Sequence, residues 1–159
     1  MGAVQPSPQN PVDYDPFAEG TLARVVPTTE PQREIWLADQ LGPDASLAFN
    51  ESARMHLRGV LDVAALRAAL QGLLDRHDAL RSGFGPDGET MCVLDAVTLE
   101  IDERDLCALD SQERVQLVER RLRLAVDTPF SLEHDRLFRA ELLRLAPAEP
   151  GLHSLINPR

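Results

Sequence analysis

The chain has 159 residues, of which 43% are hydrophobic, and this is enough to bury the core of one globular domain and too apolar for wholesale disorder. Its formal net charge of -10 argues against general affinity for nucleic-acid backbones or anionic lipid, both of which reward basic surface. No apolar run approaches the roughly 20 residues that span a bilayer, the first residues lack the pattern of a secretory signal, and a reducing cytoplasm is the expected compartment.

Residues 1–24 read as a proline-rich tail or linker. Prolines at 6, 8, 11 and 16 fix dihedrals and remove N–H donors, and the segment has no apolar period. Tyr14 and Phe17 are its exceptions, and a lightly packed extension is preferred for them over a docking motif.

From Val25 the chain becomes periodic. In "PTTEPQREIWLADQLG", Thr28 or Thr29 is placed to cap a helix over about 31–41, Pro31 suits its first turn, and Gly42 ends it. "ESARMHLRG" then alternates: Ala53, Met55 and Leu57 fall on one face and Arg54, His56 and Arg58 on the other, the pattern of a half-buried strand. His56 therefore points to solvent or a second layer.

"LDVAALRAALQGLLDRHDAL" is the clearest helix. Asp62 is its cap, Leu66, Leu70, Leu73 and His77 form the expected buried stripe, and Ala65 and Ala69 are expected to let the helix lie close to what it covers. Gly72 costs about 1 kcal/mol relative to alanine there, so close backbone packing is expected at it. "ALRSGF" and "ETMCVLD" flank Gly85-Pro86-Asp87-Gly88, a hairpin turn by its chemistry, and "VTLEID" alternates as a strand.

Asp110 or Ser111 caps a further helix with Val115, Val118, Leu122 and Ala125 as the expected stripe and Glu119 one turn from Arg123. Its arginines at 114, 120, 121 and 123 suggest an anion patch, but the interleaved glutamates make an ordinary solvated face the preferred reading. Pro129 follows its end; "RLFRAELLRLAP" reads as a long strand and "LHSLI" as another. The order of helix, strand, helix, hairpin, strand, helix, strand, strand predicts an α/β domain with a mixed β-sheet and flanking helices.

Cys92 and Cys107 form no CxxC and have no histidine at ligand spacing, which argues against zinc. His56, His77, His134 and His153 stand without a motif, and no catalytic triad order, phosphate-cradling loop or metal cluster is apparent.

Three blocks carry a resemblance. "TEPQREIWLADQLGPDASLAFNES", "LRGVLDVAALRAALQGLLDRHDALRSGF" and "DTPFSLEHDRLFRAELLRL", in this order, resemble the first part of a condensation domain of nonribosomal peptide synthetases, in the chloramphenicol acetyltransferase-like superfamily, over about Leu22 to Leu155. Gln32, Arg33 and Trp36 resemble the family's first motif. Arg76, His77, Leu80, Arg81 and Phe84 resemble its second, written Arg-His-x-x-Leu-Arg-x-x-Phe. A helix C-terminus favours cations by about 0.3–1 kcal/mol each, so these residues are read as structural, with Arg81 bridging an acid across the seam into the strand.

The resemblance implies a partial N-terminal lobe of a two-lobed enzyme that joins a carrier-bound thioester to an amine. The implied substrates are phosphopantetheine-tethered, with no cofactor bound directly, and the implied partners are a carrier protein and the rest of a synthetase. The family's catalytic signature, His-His-x-x-x-Asp-Gly, supplies a histidine for proton handling; this chain follows "GLHSLI" with "NPR" and contains no such run. His153 is read as a strand histidine. The expectation is thus a truncated lobe, residues 25–159, that is inactive alone. The alternative is a stand-alone interaction module holding a carrier protein or a neighbouring synthetase. Self-association through the uncovered edge of "GLHSLI" is a further expectation.

Overall fold

The computed structural model describes residues 21–134, 137–146 and 152–158; over the last range it describes the backbone and the His153 side chain. The expectation for Tyr14 and Phe17, and for the proline-rich stretch up to residue 20, falls outside the described residues.

Two sheets form. The first has strands β1 (Leu22–Pro27), β3 (Ser82–Phe84) and β4 (Thr90–Leu94) in the order β1-β4-β3, all antiparallel. The second has β2 (Ser52–Arg58), β5 (Ile101–Asp105), β6 (Ala140–Ala146) and β7 (Leu152–Pro158) in the order β2-β7-β6-β5. It is mixed, as expected: β5 and β6 run parallel while β6–β7 and β7–β2 run antiparallel. Helices α1 (Glu30–Gln40), α2 (Pro43–Leu47), α3 (Val63–Arg76) and α4 (Ser111–Asp127) complete the fold, with a 3-10 turn at Asp78–Arg81.

Local chemistry sets the helix ends. Asp62 caps α3 by accepting the Ala65 amide at 2.9 Å, and Asp110 caps α4 by accepting the amides of Gln112 and Glu113 at 2.8 and 2.9 Å. Beyond the Leu41 cap of α1, Gly42 adopts φ 125°, a region open to glycine.

Alternation in the four-stranded sheet divides the core in two. On one face, α3 covers Ile101, Ala140 and Leu142, joined by Leu94, Val97, Leu99 and Phe138. On the other, α4 lies over Leu143 and Leu145 together with Leu106, and Leu143 is fully buried. The period of 2 in β6 sends neighbouring leucines to opposite helices.

Several expectations are corrected. β1 begins at Leu22, inside the stretch that reads as tail, and the sequence pattern marks neither β1 nor α2. In α3 Leu66 and Leu70 face the core as expected, with Val63 and the buried Leu74; Leu73 is 44% exposed and His77 is exposed, because the last turn of the stripe continues at i+4 from Leu70 and not at i+3. Ala65 and Ala69 are exposed, and a Cβ at Gly72 would meet nothing, so close packing does not explain that glycine. In α4, Val118 is buried with Leu122 and Ala125 beside it, but Val115 is exposed, one turn beyond the cover of the sheet. β2 is not half-buried: Leu57 alone in it is partly covered, and Met55 is 48% exposed. β7 is not an edge, since β2 and β6 pair with its two sides; among the described residues the edge strands of this sheet are β2 and β5.

Candidate functional site

The first set of motif residues lies where α1 meets the β3–β4 turn. Gln32 Oε1 accepts hydrogen bonds from the Thr29 backbone N–H and from its hydroxyl, both at 2.9 Å, and so fixes the start of the helix. One residue on, Arg33 forms an ion pair with Glu89. Trp36, one turn from Gln32, packs its ring on the backbone of Gly88, which has φ 69°. Thr28 completes the clasp: its hydroxyl donates to the Gly88 carbonyl at 2.8 Å and its N–H to the Glu89 carbonyl at 2.9 Å.

The second set lines the passage from α3 into β3. Arg76 occupies the last turn of α3 and His77 its cap, and both side chains are exposed. Leu80 packs on the core from the 3-10 turn, and Phe84 is buried, its N–H donating to the Leu132 carbonyl at 2.8 Å. Arg81, the least exposed of the three basic residues, donates to the Leu94 carbonyl and pairs with Asp78, which also pairs with Arg24. Arg81 thus pairs with an acid within its own 3-10 turn, and that acid reaches β1 through Arg24.

The two motif sets meet in the hairpin, the first at its turn and the second at its base. Gln32 and Phe84 line one mostly apolar cavity with Ile35, Phe130 and Leu137, in which Asp39 is the titratable residue; Arg33, Arg76, His77 and Arg81 are not among its lining. Thr28, Gly88 and Glu89, which carry no signal of this role in the sequence, and Asp78 supply the partners. Arg33 and Glu89, 56 residues apart, leave no local trace, whereas Asp78 lies three residues before Arg81 in the same 3-10 turn.

His153 is buried in β7, opposite Leu57 on one side and Arg144 on the other, and its Nδ1 has no hydrogen-bond partner among the described residues. His56 is exposed on β2, and His134 lies in the loop before β6 beside Glu133. Among the described residues no cluster of three or more His, Cys, Asp or Glu side chains has the arrangement to hold a metal. Cys92 is buried in β4 and Cys107 half-buried after β5; neither is in a disulfide.

Charge is organised under α4. Glu141 on β6, 8% exposed, accepts from Arg104 Nε and Arg121 Nε, each at 3.0 Å, and Asp102 bonds Arg104 and faces Arg121 at 3.5 Å. Asp102, followed by Glu141, holds the Arg104 guanidinium above its ordinary value. Arg114 donates to the carbonyls of Leu106 and Leu109. Two of the four α4 arginines, Arg114 and Arg121, are half-buried and serve acceptors within the chain, while Arg120 and Arg123 are exposed.

The arrangement of α3, the hairpin and the mixed sheet is matched by comparison. The family model described as Condensation domain matches residues 22–154. The chain belongs to the condensation-domain family. It is 33% identical over 146 residues to chondramide synthase cmdD of Chondromyces crocatus, covering 91% of this chain and 4% of that one. With phosphinothricin tripeptide synthetase PhsC of Streptomyces viridochromogenes it shares 32% identity over 145 residues, covering 90% of this chain and 13% of the relative. The crystal structure of the starter condensation domain of rhizomide synthetase RzmA superposes with a TM-score of 0.72 at 27% identity, over 86% of this chain and 33% of that one. The EpoB cyclization-docking bidomain from Sorangium cellulosum shares the fold at a TM-score of 0.68 and 24% identity. The chain therefore spans 33% of the solved RzmA condensation domain and a small part of each synthetase. No helix among the described residues is long and apolar enough to cross a membrane.

Proposed function

We propose that these residues form the N-terminal lobe of a condensation domain that, within a longer synthetase, takes part in amide bond formation between carrier-bound, phosphopantetheine-tethered substrates. A carrier protein and the rest of the synthetase are its partners. The observation that carries this reading is the family match over residues 22–154, with both motif sets in their expected order on α1 and at the end of α3.

In this reading Gln32, Arg33, Trp36, Arg76, His77, Leu80, Arg81 and Phe84 have no part in chemistry. Their contacts support the assignment: helix start, ion pair to the turn, ring on Gly88, helix end and core. In this reading the 159 residues alone do not catalyse condensation: they contain no His-His-x-x-x-Asp-Gly, and His153 is buried in β7 opposite Leu57 and Arg144.

The test is amide formation from loaded donor and acceptor carrier proteins with the purified chain. The expected result is no product above the uncatalysed rate. Turnover that disappears in His153→Ala would refute the reading and make that histidine catalytic.

A further inference from the structure

We draw no further inference here: the strongest candidate, the mostly apolar cavity between α1, the β3–β4 hairpin and the loop before β6, lined by Gln32, Ile35, Phe84, Phe130 and Leu137 among others, lies in a chain that spans 33% of the solved RzmA condensation domain, and nothing in the structure shows what covers or fills it.

Discussion

Gly88 tests the clasp between α1 and the hairpin. Replacing it with alanine puts a methyl group where the Trp36 ring carbons lie, at a residue with φ 69°. Two costs combine. An L-residue in the left-handed region costs about 1–2 kcal/mol, and overpacking at a well-packed contact costs about 1–3 kcal/mol. Gly88→Ala should therefore lose roughly 2–5 kcal/mol. With a urea dependence of about 1–3 kcal/mol/M, the midpoint should fall by roughly 1 M or more. Trp36 is the chain's one tryptophan, so its fluorescence reports unfolding at the contact being tested. Gly72→Ala is the paired control: its Cβ would meet nothing in the middle of α3, and stabilisation of about 0.5–1 kcal/mol is expected. A Gly88→Ala midpoint within error of the parent would refute the close approach of Trp36, and with it the structural reading of the first motif.

Leu143→Ala, at a fully buried position between β6 and α4, should cost about 2–5 kcal/mol by denaturant titration. Asp110→Ala removes the acceptor of two α4 amides and should cost about 1 kcal/mol, with Asp110→Asn close to neutral by the same measurement. The Asp105 carboxyl is held below its ordinary value, first by the Cys107 thiol donating to it, then by the Cys107 backbone N–H and Arg144. Because its folded value is lowered, its contribution is present above the unfolded value near 3.9 and is lost as pH falls through the folded one. Asp105→Asn should therefore flatten the fall in stability below about pH 4, measured by urea midpoints across pH. The same contact holds the Cys107 thiol above its ordinary value, so alkylation of Cys107 at neutral pH should be faster in Asp105→Asn than in the parent, read by mass spectrometry.

What is legible in the sequence is what local chemistry decides. Asp62 and Asp110 announce their helices because a cap acts within three residues, and the Gly85–Gly88 turn announces its hairpin because the turn itself demands those residues. The mixed sheet follows from element order. Contacts between distant segments are not legible. β1 exists because β4 pairs with it from beyond α1, β2 and α3, and "LARVVP" alone has neither strict alternation nor a turn on each side. The α3 stripe departs from its expected course only after Leu70, because Leu73 and Leu74 are chemically equal and only the position of the sheet chooses Leu74. "GLHSLI" reads as an edge because its partner β2 lies far back in the chain, before α3. The motif residues show the same division: Asp78, three residues before Arg81, is a local partner, but Glu89 and Gly88, which explain Arg33 and Trp36, are visible only in space. The contacts of Gln32, Arg33, Trp36 and Arg81 fasten helix starts, turns and strands together, as the structural reading of these residues expects. Arg81 makes the point most directly: its guanidinium is bound to a main-chain carbonyl of β4 and to Asp78, and its Nε is buried.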